Sequence, residues 1–204
     1  MKLRFGLAVV LMGLVALAVF MASLVLSSSN QESALASSRA LVKEGEVAPA
    51  FSLEAAEGRT VSLGEYVGKK NVLLFFSMAA DCEPCLKQIV DLEKDSQLEA
   101  LDVQLVNVGI DSTAALYYEA GRLDLRSPLL SDPDRRVTRS YGVPLTWGAG
   151  EPGHAFVLVD KGGTVRWVKD YAVMGHNSVM YVKPDELYVE IRAHLAPLTR
   201  AASP

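Results

Sequence analysis

Two cysteines that stand three positions apart are the residues of this chain best suited to chemistry. Cys82 and Cys85 are the only cysteines among 204 residues, and they occur in the run Cys82-Glu83-Pro84-Cys85. A disulfide across this spacing closes a ring that is too small to restrict much of the unfolded chain. The pair is therefore predicted to carry out thiol redox chemistry rather than to act as a structural cross-link.

The elements around the pair place it where a thiolate is stabilised. Asn71 to Ser77 is a continuous apolar run of strand length, and the segment after it has helical periodicity. A helix N-terminus offers free N–H groups and a positive dipole end, so Cys82 is the expected nucleophile. Cys85, one turn later, is the expected resolving thiol. Pro84 suits the first turn of a helix, where its missing N–H is not needed.

Two acidic neighbours oppose this stabilisation. Asp81 and Glu83 flank Cys82, and their negative charge should raise the pKa of its thiol relative to the same motif with neutral neighbours. Strong oxidants owe their potential to an unusually stable thiolate. We therefore expect a reductant or a balanced exchanger, and a reduction potential as oxidising as about −120 mV would contradict this expectation.

Other roles for the cysteines need further residues. A zinc site requires two more ligands, and the only histidines, His154, His176 and His194, are not paired at metal spacing. No metal and no cofactor is therefore expected, and a passive disulfide is the other alternative. His154 stands at the start of a predicted strand, from which its imidazole could face Cys82 and tune the thiol. An ordinary surface histidine is an equally good interpretation.

The remaining pattern predicts an α/β domain with the element order ββ, βαβα, ββα. The predicted sheet is mixed and covered by helices on both faces, and a β-hairpin precedes it. A Cys-x-x-Cys between the first long strand and its helix is typical of the thioredoxin-like fold. The predicted strands and helices are Ala50–Leu53, Thr60–Leu63, Asn71–Ser77, a helix with apolar positions from Leu86 to Leu98, Leu101–Ile110, Thr113–Gly121, Asp134–Tyr141, Ala155–Asp160, Val165–Lys169 and Pro184–Leu195.

The N-terminal sequence predicts a membrane anchor. Phe5 to Leu26 contains no charge in 22 residues, about 33 Å of helix at about 1.5 Å per residue. Lys2 and Arg4 precede it, which predicts a cytoplasmic N-terminus and an extracytoplasmic domain. We expect an uncleaved anchor at 1–26, with cleavage near Ala36 as the alternative. A Ser-rich linker at 27–42, a thioredoxin-like domain at 43–197 and a tail at 198–204 are expected to follow. The residues after the anchor include more acidic than basic side chains, so the rest of the chain is negatively charged and nucleic acid is a poor partner.

A longer stretch before the cysteines resembles the opening of the AhpC/TSA and redoxin group of thioredoxin-like proteins. The matching residues are Ala48, Pro49, Phe51, Leu53, Gly58, Leu63, Gly68, Lys69 and Cys82. The later run from His154 to Val168 is similar to the penultimate hairpin of that group. The resemblance covers about residues 45–196 and implies a thioredoxin-like redox domain.

Two subfamilies of this group remain open. Membrane-anchored thiol-disulfide oxidoreductases of the TlpA and ResA type have the anchor and a Cys-x-Pro-Cys, but usually carry Trp at the position of Asp81 and a cis-Pro at the position of His154. Peroxiredoxins have a Pro-x-x-x-Thr/Ser-x-x-Cys pocket. In this chain Phe75 stands at the position of the Pro, and Ala79 stands at the position of the Thr or Ser. Arg139 or Arg166 could supply the basic partner that such a pocket needs.

A third interpretation comes from copper-delivering proteins of the Sco type, which share the anchor, two close cysteines and a distant histidine near the position of His154. Their cysteines are spaced Cys-x-x-x-Cys, which differs from this chain. The prediction is an extracytoplasmic thiol-disulfide oxidoreductase with Cys82 and Cys85 as its site. A protein disulfide substrate and a membrane or extracytoplasmic thiol donor are its expected partners. A peroxiredoxin-like hydroperoxide reductase is the alternative.

Overall fold

A seven-stranded mixed sheet forms the centre of the domain. The computed structural model describes residues 41–94, 96–172 and 179–196. The strands lie side by side in the order β2-β1-β5-β4-β3-β6-β7. Their bounds are β1 Ser52–Ala55, β2 Thr60–Ser62, β3 Asn71–Ser77, β4 Val103–Gly109, β5 Leu129–Ser131, β6 His154–Val159 and β7 Val165–Asp170.

Five α-helices and two short 3-10 helices accompany the sheet in the described residues. The α-helices are α1 Glu83–Glu93, α2 Gln97–Ala100, α3 Thr113–Leu123, α4 Arg136–Ser140 and α5 Pro184–Leu195, and the 3-10 helices are Leu63–Glu65 and Ala79–Asp81. Apolar residues of α1, α3 and α5 pack with Phe75 and Phe156 on one face of the sheet. Val137 of α4 packs on the other face with Phe76. The sheet is thus covered on both sides.

The central strand β3 explains why the predicted core was easy to recognise. β3 pairs in parallel with β4 and antiparallel with β6, and every residue of β3 after Asn71 is buried. A strand buried on both faces must be apolar throughout, as the run after Asn71 is. The bounds of β3 and α5 agree with the prediction to the residue. The mixed α/β thioredoxin-like fold is confirmed.

The N-terminal hairpin is also present and joins the main sheet. β1 pairs antiparallel with β2, and the turn between them includes Gly58 at a φ of 81°, a left-handed conformation that favours glycine. β1 also pairs antiparallel with β5. β5 has only three residues and is absent from the predicted elements.

Some predicted segments fall on residues that the structure does not describe. The anchor at 1–26, most of the linker at 27–42 and the tail at 198–204 lie outside the described residues. Within the described part of the chain, every helix is too short or too polar to cross a membrane. Val42, which the prediction assigns to the linker, is buried, and its N–H bonds the carbonyl of Tyr141 at 3.0 Å. The folded domain therefore includes Val42.

Candidate active site

The two cysteines lie where β3 gives way to α1, as the sequence predicts. A 3-10 helix over Ala79–Asp81 joins the two elements, and Cys82 is the N-cap residue of α1. The Cys82 N–H donates to the carbonyl of Ala79 at 3.0 Å. The Cys82 sulfur accepts a hydrogen bond from the Cys85 N–H at 3.3 Å. The same Cys85 N–H also donates to the Cys82 carbonyl at 2.9 Å, so an N–H at the helix start is shared between this carbonyl and the sulfur of the predicted nucleophile.

Cys82 and Cys85 form a disulfide in this structure, with their Cα atoms 5.2 Å apart. The pair is enclosed, because Cys82 is 3% exposed and Cys85 is fully buried. Both belong to the apolar cluster that α1 forms with the sheet. The arrangement brings the predicted nucleophile and the predicted resolving residue into covalent contact, with the nucleophile nearer to solvent.

Pro84 and the two acidic neighbours of Cys82 lie at the exposed edge of the site. Pro84 is in the first turn of α1, where its lack of an N–H leaves no acceptor unsatisfied. The Glu83 side chain is 83% exposed, and Arg122 of α3 approaches it at 3.9 Å while pairing more closely with Glu119 at 2.6 Å. An exposed pair at such a distance offsets little of the negative charge beside Cys82.

A third acidic residue, which the sequence analysis does not nominate, supports the turn before Cys82. Asp111 follows β4, and its Oδ2 accepts a hydrogen bond from the Ala80 N–H at 2.9 Å. Burial raises the pKa of Asp111, and the nearby charges of Asp81 and Glu151 raise it further. The site therefore has a negative electrostatic environment built from three separate segments, which hold Asp81, Asp111 and Glu151. The parallel pairing of β3 and β4 brings the first two of them together.

His154 lies under α1 rather than at the surface. It is fully buried at the start of β6, and its partner across the sheet is Ser77. Its Nε2 lies 3.2 Å from the Oε1 of Gln88 on α1, and its ring packs edge-on against Phe75 at 4.5 Å. Burial lowers its pKa to about 3, so the imidazole is neutral. It forms no hydrogen bond to either sulfur of the disulfide.

The position that would carry a peroxide-binding hydroxyl holds a methyl group. Ala79 is fully buried, and its φ of 61° is unusual for a residue other than glycine. The candidate basic partners are engaged elsewhere. Arg139 donates to the Asp134 carbonyl, and Arg166 lies 3.3 Å from the Asp160 carboxylate. Neither arginine has a described contact with the cysteine pair.

Metal ligands do not gather in the described ranges 41–94, 96–172 and 179–196. No group of three or more histidine, cysteine or acidic side chains there could hold a metal ion. The peptide bonds in the same ranges are all trans, including the one before Pro152. The cis-Pro expected of the TlpA and ResA type is therefore not found beside His154.

Comparison with known proteins assigns the family. The AhpC/TSA family model matches residues 45–168, more than half of the chain. Chloroplastic peroxiredoxin Q of Triticum aestivum is 33% identical over 129 residues, which are 62% of this chain and 58% of that protein. Chloroplastic peroxiredoxin Q of Gentiana triflora is 31% identical over 131 residues, 63% of this chain and 59% of that protein. The chain thus spans about three fifths of the length of these relatives.

Solved structures show the same fold. Peroxidoxin BcpB from Mycobacterium tuberculosis superimposes with a TM-score of 0.63 at 22% identity, over 74% of this chain and 97% of that one. AhpC of Mycobacterium bovis gives a TM-score of 0.64 at 20% identity, over 81% of this chain and 100% of that one. The sequence match covers both cysteines and the strands that position them. This chain is therefore a member of the AhpC/TSA family of thioredoxin-like redox proteins.

Proposed function

We propose that this protein is a peroxiredoxin-type hydroperoxide reductase, with Cys82 as the peroxide-reacting thiol and Cys85 as the resolving thiol. The observation that carries the proposal is the Cys82 sulfur at the N-cap of α1, bonded by the Cys85 N–H at 3.3 Å, in a chain of the AhpC/TSA family. The relatives with the names given above are peroxiredoxins. The sequence predicts disulfide exchange, with peroxide reduction as the alternative, and the similarity favours the alternative.

The chemistry needs only the two cysteines, a peroxide and an external thiol. The Cys82 thiolate attacks one peroxide oxygen, the O–O bond breaks, and the other oxygen leaves as water or an alcohol after taking a proton. Cys82 is left as a sulfenic acid. The Cys85 sulfur then attacks the Cys82 sulfur, the S–S bond forms, and the sulfenic hydroxyl leaves as water with the Cys85 proton. A thiol reductant returns the disulfide to two thiols.

The geometry of the cysteine pair fits this sequence of steps. The Cys85 N–H and the start of α1 stabilise negative charge on the Cys82 sulfur. Cys82 is the more exposed of the two residues, at 3%, and this narrow access suits a small substrate such as a peroxide. Cys85 is one helical turn away and reaches Cys82 without unfolding of α1, because the disulfide forms with the helix intact.

Two observations favour a second function, thiol-disulfide exchange with a protein substrate. Ala79 offers a methyl group where a hydroxyl would hold the peroxide, and no arginine is bonded to the cysteine pair among the described residues. A site without these groups binds peroxide less well, whereas disulfide exchange needs only an accessible thiolate. The same two cysteines would act, with Cys82 forming the mixed disulfide and Cys85 releasing the partner.

The experiment that separates the two functions offers both substrates to the reduced full-length chain in mild detergent. Hydrogen peroxide and an oxidised protein disulfide are supplied in parallel, and consumption of each is followed with wild type, Cys82→Ser and Cys85→Ser. Peroxide turnover that Cys82→Ser abolishes supports the proposal. Disulfide reduction without peroxide turnover, together with a mixed disulfide trapped on Cys82 in Cys85→Ser, would replace it with the second function.

The proposal also includes the predicted location. The uncharged segment from Phe5 to Leu26, preceded by Lys2 and Arg4, supports a single membrane span with the catalytic domain on the extracytoplasmic side. In intact cells, a membrane-impermeant thiol reagent should then label Cys82 after reduction. Labelling only after the cells are broken would contradict this location without bearing on the peroxide chemistry.

A further inference from the structure

A buried polar pair lies on the face of α1 that carries Cys85. Gln88 and His154 are both fully buried, and the Gln88 Oε1 lies 3.2 Å from the His154 Nε2. Cys85 and Gln88 are three positions apart on the helix, so their side chains leave it on the same face. The imidazole therefore packs against α1 through a residue that lies one helical turn after the resolving cysteine and on the same face.

The contacts of Gln88 fix which nitrogen of the neutral imidazole carries the proton. The Gln88 Oε1 accepts a hydrogen bond from the Val182 N–H at 2.7 Å. A backbone N–H can only donate, so this atom is the amide oxygen and not the nitrogen. The same oxygen must then accept from His154, whose Nε2 carries the proton. Because the imidazole is neutral, its Nδ1 carries a lone pair.

This lone pair has no hydrogen-bond donor among the described residues. The rings that pack against His154 belong to Phe75 and Phe156, at 4.5 Å and 5.4 Å, and neither offers a hydrogen-bonding group. A disulfide sulfur carries no hydrogen either. A buried acceptor without a partner destabilises the fold. Reduction of the disulfide would create a donor on the same face of α1 as Gln88, the Cys85 S–H group.

We propose that His154 is a positioning residue for the resolving thiol, with its Nδ1 accepting a hydrogen bond from the Cys85 S–H in the reduced protein. Gln88 holds the tautomer that leaves Nδ1 free for this bond. The bond keeps the Cys85 sulfur in one orientation until Cys82 has become a sulfenic acid. When the S–S bond forms, the Cys85 proton leaves with the sulfenic hydroxyl as water. The inference rests on the proposed function only in requiring that the pair cycles between dithiol and disulfide.

The first test follows the His154 nitrogen by NMR in the full-length chain with ¹⁵N-labelled histidine. Four samples are compared: wild type oxidised, wild type reduced with dithiothreitol, Cys82→Ala and Cys85→Ala. The two variants are matched, because each lacks the disulfide but only Cys82→Ala retains the Cys85 S–H. The His154 signals are assigned by their loss in His154→Phe.

The proposal predicts that the Nδ1 resonance moves on reduction, that Cys82→Ala gives the reduced position and that Cys85→Ala gives the oxidised position. The same Nδ1 resonance in all four samples would overturn it. No peroxide is used, so this result stands apart from success or failure of the proposed peroxidase activity.

A kinetic test separates positioning from a general structural role. His154→Phe keeps a ring of similar size and removes the lone pair. After one equivalent of peroxide, formation of the disulfide should slow about tenfold relative to oxidation of Cys82, as expected for the loss of one hydrogen bond. Equal slowing of both steps would show that the imidazole only supports the fold, and would overturn the proposal.

Discussion

Ala79 and Gly109 are in such close contact that only a glycine fits opposite the alanine. A Cβ atom added to Gly109 would lie 2.4 Å from the Ala79 Cβ, and 3.4 Å from Leu116. Gly109 ends β4, and Ala79 begins the turn that leads to Cys82. The packing of these two residues therefore sets how closely the turn before the nucleophile approaches the neighbouring strand.

This contact predicts a coupled effect of two substitutions. Gly109→Ala should destabilise the fold by about 1–3 kcal/mol, since the added methyl group overpacks the turn. Ala79→Gly removes the opposing methyl group and the strained φ, and should change stability by no more than about 1 kcal/mol. In the Ala79→Gly background, the loss from Gly109→Ala should fall by at least about 0.5 kcal/mol, a coupling that urea unfolding of the four proteins measures. Additive effects would show that the two methyl groups do not meet.

A hydroxyl at position 79 should increase peroxide reactivity. Ala79→Ser places a hydrogen-bond donor where the peroxiredoxin pocket has Thr or Ser, and one added donor to the reacting oxygen should speed the peroxide step by about tenfold. Ala79→Gly is the matched control, since it changes the backbone freedom without adding a donor. Stopped-flow oxidation of reduced protein by hydrogen peroxide gives the rates. Equal rates in Ala79→Ser and wild type would show that residue 79 does not face the peroxide.

The acidic residues beside Cys82 should raise the pKa of its thiol relative to a site with neutral neighbours. Asp81→Asn and Glu83→Gln each remove one negative charge, so the pKa of Cys82 should fall in both variants. Glu99→Gln is the control. Glu99 lies on α2, just before the start of β4, and this end of the sheet is opposite to the end that carries Cys82. The absorbance of the thiolate of the reduced protein as a function of pH reports the pKa. A shift of equal size in the control would mean that the effect is not local.

The burial of His154 leads us to expect a loss of stability in mild acid. Its pKa is lowered to about 3 in the folded protein, below its ordinary value of 6.5. As the pH falls, the imidazole of the unfolded chain is therefore protonated before that of the folded protein. The stability that the neutral His154 contributes is complete above pH 6.5 and is lost as the pH falls toward 3. The loss is up to roughly 5 kcal/mol. The residues in contact with the ring, Gln88, Phe75 and Phe156, carry no charge that could replace this effect.

Urea unfolding of the oxidised protein between pH 7 and pH 4 measures this dependence. His154→Phe should show a shallower decrease in the free energy of unfolding than wild type. Parallel curves for the two proteins would show that the pKa of His154 is the same in the folded and the unfolded chain, and would contradict the prediction.

Much of the fold was predictable because its central elements are governed by local sequence. β3 is an unbroken apolar run, and α5 begins at Pro184 and keeps one apolar face. β5 was missed because three residues carry no periodicity, and the strand exists only through pairing with β1 and β4. α1 was expected to extend toward Leu98 but ends at Glu93, whose carboxylate accepts the N–H groups of two residues before β5.

The site was predictable only where it is local. In the Cys82-Glu83-Pro84-Cys85 run, the spacing of the cysteines and the signal for the start of a helix are both local. The nucleophile and its partner could therefore be identified from the sequence. Asp111 was missed because its link to the turn is a hydrogen bond across 31 positions. The depth of His154 was not evident because it depends on the register between β6 and β3. A polar residue that opens an apolar run is the only sequence feature that pointed to it.

The most direct test of the proposed function is the product that peroxide leaves on Cys82 when the second thiol is absent. Reduced Cys85→Ser is treated with one equivalent of hydrogen peroxide in the presence of dimedone, and the site of the adduct is mapped by mass spectrometry. The account predicts a sulfenic acid adduct on Cys82, formed at least about a hundredfold faster than on free cysteine, as expected for an assisted thiolate. An adduct formed no faster than on free cysteine would contradict it.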